Sequence, residues 1–386
     1  MVKFWSFIIV LLPLYMRVTE AADPRVARDL FFVFCVFSSV ILFGFKRQPD
    51  IYHRVLFFSV GVMAFFNQYD QYSFTVIFEW LAISAAMILA LQVMSNFEQD
   101  DDLKLLPPLR IACLIQCAWI TMHYFGVDTH TEIFNLIGMK TQRLTSQFKP
   151  FPIDYKMTLD GSLGNSSISG SLVALSSLAF LQGRWALFLV IPGITLAVLG
   201  GLGNLLAFIV PVAYFYMRRH LSIKNSLTIL WSVGMMLIFS VYVFGTKYGS
   251  FFSDNERFLV WQKTIEMLGD NYLLGKGVGY FYDFFPSALM SVNGQYFRQA
   301  HNEFLQGYFT FGIIGVFIMI CLLSPYIAAC IREKADTNIL FLITMSFFII
   351  SMVSLPFHIS GLALIFILSY GYLNRSQIDG IFSNKS

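Results

Sequence analysis

Long apolar runs separated by short polar connectors make up most of the 386-residue chain. A helix needs about 20 apolar residues to cross the hydrocarbon core of a bilayer, so several runs must borrow flanking residues. The pattern predicts an all-α integral membrane protein with about 12 transmembrane helices. The predicted spans lie at roughly 4–18, 30–45, 55–69, 73–95, 109–125, 168–182, 185–199, 202–217, 225–245, 304–324, 339–355 and 357–373.

Two longer polar segments interrupt this pattern and divide the chain into five regions. Because the other connectors are too short to form a catalytic domain, any chemistry is expected in these two segments, and the larger one is predicted to contain short helices. The regions are N-terminal transmembrane helices (1–125), a first external loop (126–168), central transmembrane helices (169–245), a large external loop (246–303), and C-terminal transmembrane helices with a tail (304–386).

Composition agrees with a membrane protein. Hydrophobic residues are 57% of the chain and charged residues 13%, against about 25% charged residues in soluble domains. The net charge of +3 gives no support for a nucleic-acid partner, and membrane lipids are the expected surroundings. Every cysteine lies in or beside an apolar run and is expected to pack between helices: Cys35, Cys113, Cys117, Cys321 and Cys330.

Basic connectors define the expected orientation, because lysine and arginine concentrate in cytoplasmic loops. Such connectors occur at 46–54, 104–110, 218–224 and 332–334. With these in the cytoplasm, both termini are cytoplasmic and both polar loops are external, which means periplasmic for a bacterial inner membrane. The N-terminal apolar run resembles a signal peptide, but Arg17 separates it from the small residues that follow, which favours an uncleaved first helix.

The large external loop begins with a predicted helix at about 254–268, since a capping box precedes an apolar stripe and Gly269 stands where the helix would stop. Arg257 lies in the first turn, level with Trp261. Its guanidinium could grip a phosphate with paired hydrogen bonds or reach out to lipid headgroups. The sequence leaves both roles open.

A glycine-rich turn follows at 275–279, reading Gly-Lys-Gly-Val-Gly. It could offer backbone N–H groups to an anion, but it lacks Walker spacing and is also typical of a plain turn. An aromatic cluster comes next, suited to an interfacial belt or to stacking on sugars: Tyr280, Phe281, Tyr282, Phe284 and Phe285.

The large loop ends at His301-Asn302-Glu303, where the next apolar run begins. A histidine at the membrane rim can act as a general base near neutral pH, or it can be an ordinary residue of the capping region. Asn302 is a good N-cap, and Glu303 suits the positive end of a helix. The histidines do not show metal-ligand spacing, so a metal site is not expected.

In combination these elements resemble the O-antigen ligase and polymerase superfamily. The order and spacing are more specific than any single element, and a cluster from Gly161 to Asn165 is similar to the family's upstream G-x-x-G-N element. The matching elements are Arg257-x3-Trp261, Gly275-x-Gly277-x-Gly279, His301-Asn302-x2-Leu305 and Phe311-Gly312-x2-Gly315.

The resemblance implies a polytopic inner-membrane glycosyltransferase that uses a glycan linked to undecaprenyl diphosphate, without metal, nucleotide sugar or other cofactor. The acceptor is lipid A core in ligases, a second lipid-linked repeat unit in polymerases, or a protein hydroxyl in O-oligosaccharyltransferases. Arg257 matches the arginine proposed to bind the diphosphate, and His301 the proposed base. Displacement of diphosphate at the anomeric carbon would invert the sugar. The expected substrate-binding residues are Trp261, Gly277, Gly279 and Asn302.

One element departs from the family pattern. Where the family has a Ser-Arg-Gly-like element, this chain reads Gly201-Leu202-Gly203-Asn204, and Arg184 is predicted to be cytoplasmic. The departure weakens the ligase assignment more than the superfamily assignment. Another cation could replace the arginine, and the candidates are Lys140, Arg143, Lys149 and Lys156.

Two other classes compete with a glycosyltransferase. A transporter or flippase would carry charged residues within its spans, and Asp70 and Glu79 are the main ones in this chain. A non-enzymatic scaffold in a polysaccharide assembly complex would make Arg257 and His301 dispensable.

Overall fold

The regular secondary structure of the protein is helical throughout the part that the computed structural model describes, residues 1–14, 24–49, 51–66, 74–98, 101–125, 166–218, 256–281, 300–331, 338–354 and 356–383. This agrees with the predicted all-α class. The first helices are α1 (Val2–Leu11), α2 (Pro24–Phe43), α3 (Ile51–Phe66), α4 (Phe74–Asn96), α5 (Asp101–Tyr124) and α6 (Ser166–Ser177). The later ones are α7 (Val190–Leu199), α8 (Leu202–Arg218), α9 (Glu256–Leu268), α10 (Glu303–Ile331), α11 (Ile339–Ser351) and α12 (Ser360–Ser383).

Short 3₁₀ segments extend or connect several of these helices, at Leu12–Leu14, Leu178–Leu181, Gly183–Leu189 and Pro356–His358. Where they are described, the predicted apolar runs coincide with helical segments. The run at 225–245, the ends of the runs at 4–18 and 55–69, and nearly all of the first external loop lie outside the described residues. Leu103–Tyr124 and Glu303–Ser324 have the length and hydropathy of a membrane span, although the second is interrupted at Gly312. The other apolar helical segments in the described ranges have 10–17 residues. The count of about 12 spans therefore stays a prediction.

Several buried hydroxyl groups inside the apolar helices bond within their own helix. Hydroxyl groups donate to the carbonyl four residues earlier, as Ser176 does to Leu172, Thr344 to Leu340 and Ser369 to Ile365. An apolar environment offers no water to such groups, so a local partner removes the cost of burying them. Serine and threonine can therefore sit at fully buried positions of these helices.

A single large cluster of buried apolar side chains joins α1–α8 with α11 and α12, and we call it the bundle core. Small residues allow close approach of helices within it. Gly371 of α12 faces α4, where an added Cβ would lie 2.6 Å from Val93 Cγ1. Aromatic rings pack between α11 and α12, with Phe347 stacked on Phe366 at 4.4 Å between ring centroids. The bundle core is thus held by shape-matched apolar packing.

The predicted span at 304–324 is helical but is not one continuous helix. Gly312 has φ 62° and ψ −149°, which breaks α10 into two parts. Beyond the break the chain folds back, as two close approaches show. A Cβ on Gly315 would overlap the Gly307 carbonyl, and a Cβ on Gly307 would lie 3.9 Å from Met319 Cε. In a straight helix, the twelve residues from Gly307 to Met319 would separate these two positions by about 18 Å. Glu303–Phe311 is therefore a short helix folded against the rest of α10.

Candidate active site

The helix α9 carries the first predicted site residues. It ends at Leu268 with Gly269 in the left-handed region (φ 52°), which confirms the predicted end. The predicted capping box before it lies mostly outside the described residues. Arg257 occupies the first turn, and its side chain belongs to the part of the helix for which no side chains are described. Since residues four apart share a helix face, Arg257 and Trp261 are neighbours on α9.

The glycine turn after α9 pairs with the broken helix. The N–H groups of Lys276 and Gly277 donate to the carbonyls of Phe309 (2.8 Å) and Thr310 (3.0 Å). Across the break, Ile313 N–H donates to the Tyr272 carbonyl at 2.9 Å. Groups that an unbroken helix would pair internally are thus paired with the turn. Gly277, an expected substrate-binding residue, has its N–H committed to this contact.

Two glycines make this pairing possible. Gly275 has φ 75°, and a Cβ there would lie 2.5 Å from the Thr310 carbonyl carbon and 2.6 Å from Gly312 N. A Cβ on Gly312 would in turn overlap the backbone of Leu273. Both positions combine a left-handed φ with direct backbone contact, which only glycine tolerates. The glycine motif therefore has a structural role in joining the turn to α10.

His301 occupies an unusual backbone conformation. Its φ is 53°, and in the described ranges it is the one residue other than glycine with a positive φ. Immediately before it, Ala300 is fully buried, and both of its backbone groups are bonded. Trp261 Nε1 donates to the Ala300 carbonyl at 2.8 Å, and Ala300 N–H donates to Gln306 Oε1 at 2.9 Å. The first of these bonds ties α9 to the histidine turn.

Asn302 begins α10 as predicted. Its Oδ1 accepts from Leu305 N–H at 3.0 Å, which confirms the N-cap, and its Nδ2 donates to the Met352 carbonyl at 3.0 Å. The buried Glu303 carboxylate accepts from Phe357 N–H at 2.6 Å. These bonds fix the start of α10 against the connection between α11 and α12.

The element that lacks the expected arginine lies close to this connection. A Cβ on Gly203 would overlap the Val353 side chain, and Val353 follows the Met352 carbonyl that Asn302 contacts. Asn204 is buried, and its amide is bonded to Ser171 Oγ and the Ser167 carbonyl of α6. The start of α8 thus comes near the His301 turn without bringing a cation. The loop cations proposed as replacements (Lys140, Arg143, Lys149 and Lys156) lie outside the described residues.

The segments around His301 share a small core of their own. Residues 256–281 and 300–311, here called the loop lobe, enclose Val260, Leu268, Phe281, Ala300 and Phe309. Phe281 packs edge-on against Phe309 at 5.1 Å between ring centroids. Its predicted place in an interfacial belt or sugar-stacking surface is therefore wrong, because the ring is buried. Tyr282, Phe284 and Phe285 lie outside the described residues.

The turn carries one further cation, Lys276, whose Nζ lies 5.5 Å from the centre of the Tyr280 ring. Both side chains are partly exposed, so this cation–π contact keeps the ammonium at the surface of the loop lobe. Gly279, the other expected substrate-binding glycine, has φ 87°.

Sequence reasoning missed Gln306 as a site residue. The sequence feature that could have pointed to Gln306 is its polar side chain within an apolar run, one helical turn after Asn302. Its partner, the Ala300 amide, could not be identified because a backbone N–H has no sequence signature.

The described part of the chain is therefore all-α and largely apolar, as expected of a helical membrane protein, and its loop lobe carries the histidine turn. Residues 158–320 match the model of the O-antigen ligase family, a segment covering less than half of the chain. The match includes Trp261, the glycine turn, the His301 turn and the break at Gly312, and it confirms the resemblance to the O-antigen ligase superfamily. The search of curated proteins finds no match.

Proposed function

We propose that the protein is a membrane glycosyltransferase that transfers a glycan from undecaprenyl diphosphate to an acceptor hydroxyl on the periplasmic face, as O-antigen ligases do in lipopolysaccharide biosynthesis. The family match supports this type of enzyme and its lipid-linked substrates in general terms. The observation that carries the proposal is the bond from Trp261 to the Ala300 carbonyl. It brings the helix that bears Arg257 against the turn that bears His301.

In the proposed reaction Arg257 binds the diphosphate with paired hydrogen bonds, and it stabilises the charge that develops as this group leaves. His301 accepts the proton of the acceptor hydroxyl. The hydroxyl oxygen forms a bond to the anomeric carbon as the bond from that carbon to the diphosphate oxygen breaks. Attack opposite the leaving group inverts the sugar, and the protein's own groups suffice without a metal.

The proposed setting is the bacterial inner membrane, with both termini cytoplasmic and the loop lobe periplasmic. The helical structure and the membrane-associated family fit this setting. The donor chain lies among membrane lipids, and the acceptor is lipid A core or a second lipid-linked glycan.

The second candidate function is polymerisation of repeat units for O-antigen or capsule. It stays a candidate because Gly201-Leu202-Gly203-Asn204 lacks the arginine of the family element, which weakens the ligase assignment more than the superfamily assignment. The more distant alternative is a transporter, for which the sequence offers Asp70 and Glu79 as charged residues within the spans. Their side chains are not among those that the structure describes.

Glycan profiling of a deletion strain, complemented with wild type or with His301→Ala, tests the proposal. Ligase activity predicts that the deletion accumulates long polymer on undecaprenyl diphosphate with none on lipid A core. Polymerase activity predicts core capped by a single repeat instead. His301→Ala should fail to complement at unchanged protein abundance. Unaltered glycans in the deletion strain would contradict both candidates and favour a transporter or scaffold.

A further inference from the structure

The His301 turn is held on both sides by groups from different elements. A residue other than glycine stays in the left-handed region only where its surroundings fix the backbone around it. On one side, the Ala300 carbonyl accepts from Trp261 and the Ala300 N–H donates to Gln306. On the other side, the Asn302 carbonyl accepts from Gln306 N–H at 2.8 Å. Gln306 therefore bonds both neighbours of His301.

We propose that Trp261 and Gln306 are positioning residues that hold the His301 backbone in its left-handed conformation and so direct the imidazole. This inference rests on the proposed function of His301 as the base. It gives Trp261 a different role from the expected one in substrate binding, and it adds Gln306 to the site.

Burial makes the two bonds decisive for the turn. Ala300 is fully buried and Gln306 is 7% exposed, so water cannot replace either partner readily. A lost partner leaves a buried backbone group unpaired, and the turn would then relax towards a conformation in which both groups find new partners. The ordinary negative φ at His301 would be restored, and the imidazole would point elsewhere.

The roles of Trp261 in positioning and in substrate contact predict different kinetics. Loss of positioning lowers kcat, because the base no longer meets the acceptor hydroxyl, whereas loss of a substrate contact raises KM at unchanged kcat. Trp261→Phe keeps an aromatic ring in the small core and removes the indole N–H. Gln306→Met keeps the length of the side chain and removes the acceptor, whereas Gln306→Glu keeps an acceptor oxygen.

The test measures glycan transfer by the purified full-length protein in liposomes. The donor is an undecaprenyl-diphosphate-linked glycan, and the acceptor is the one that glycan profiling of the deletion strain identifies. Trp261→Phe and Gln306→Met should lower kcat about 10- to 100-fold with KM changed less than about threefold. Gln306→Glu should recover most of the lost kcat. Wild-type kcat in the first two variants, or a change confined to KM, would overturn the proposal.

Matched controls separate positioning from general damage. Trp5→Phe makes the same substitution in the bundle core, where the Trp5 indole N–H has no partner within the described residues. Gln262→Met removes a side-chain amide of α9 whose bond within the described residues is to the exposed Glu266. Both controls should keep wild-type kcat.

A structural readout separates failure of this inference from failure of the proposed function. Amide hydrogen exchange of the peptide containing Ala300 should be faster in Gln306→Met than in wild type, because the Ala300 N–H loses its acceptor. Unchanged exchange would overturn the positioning role whatever the activity. Wild-type protein with no transfer activity would instead contradict the proposed function.

Discussion

The bundle core and the loop lobe are stabilised by different means. The bundle core joins most of the helices through apolar side chains, and several of its buried hydroxyls bond within their own helices. The loop lobe has only a few buried apolar residues, but it contains backbone bonds that cross between elements and several left-handed residues. Apolar packing tolerates exchange of similar side chains, whereas backbone pairing through glycines does not. The difference places strict residue requirements in the loop lobe, where the candidate site lies.

The first way to test this comparison is Gly312→Ala. The added Cβ would overlap Leu273 and the residue would be strained at φ 62°, so we expect a loss of about 3 kcal/mol or more of stability. Thermal unfolding of the purified protein measures the loss. The matched control is Gly269→Ala, which has a similar φ of 52° and nothing within 4 Å of the new Cβ. That variant should lose about 1–2 kcal/mol. Equal losses would show that backbone pairing at Gly312 adds no stability.

Arg257→Lys tests the phosphate contact of the loop lobe. A lysine keeps the charge but cannot form paired hydrogen bonds, so we expect about a 100-fold loss of transfer at normal abundance. Lys263→Gln serves as the control on the same helix, because Lys263 pairs with Glu266 at the surface. Full activity of Arg257→Lys would argue against paired phosphate contacts.

Gly371→Ala tests the bundle core. The new Cβ would meet Val93 at 2.6 Å, and overpacking should cost about 1–3 kcal/mol while transfer per folded molecule stays unchanged. The double variant with Val93→Ala should recover much of the stability. A loss of specific activity in Gly371→Ala would mean that the two regions are coupled more closely than we expect.

Glu266→Gln is expected to have the smallest effect. Hydrogen bonds from Lys263 and then Gln262 lower the pKa of the Glu266 carboxyl below its ordinary value of 4.5. A lowered pKa favours the folded state above pH 4.5, and this contribution is lost as the pH falls through the lowered pKa. Because the Glu266 side chain is exposed, transfer activity between about pH 6 and 8 should match that of wild type throughout. A clear change would place this face of α9 in the site.

Local signals in the sequence predicted the parts of the fold that depend on neighbouring residues. Gly269 marks the end of α9 and Asn302 caps α10, because both act within one helical turn. The break at Gly312 could not be predicted, since it lies within an apolar run long enough to span and depends on bonds to Lys276 and Gly277 far earlier in the chain.

The sequence predicted the candidate reactive residues of the site better than the residues that position them. Arg257 and His301 stand in a recognisable motif, and their roles stay predictions. The partner of Trp261 is a backbone carbonyl 39 residues away, and such a contact leaves no pattern in the sequence. Phe281 was misread for a similar reason, because its burial depends on Phe309 in another element.

The central claim is that His301 accepts the proton in glycan transfer. The most direct measurement is the transfer rate of purified wild type and His301→Ala in liposomes with an undecaprenyl-diphosphate-linked glycan. We predict a loss of about 10²- to 10⁴-fold for His301→Ala, with an unchanged unfolding temperature. Transfer by His301→Ala at the wild-type rate would contradict the account.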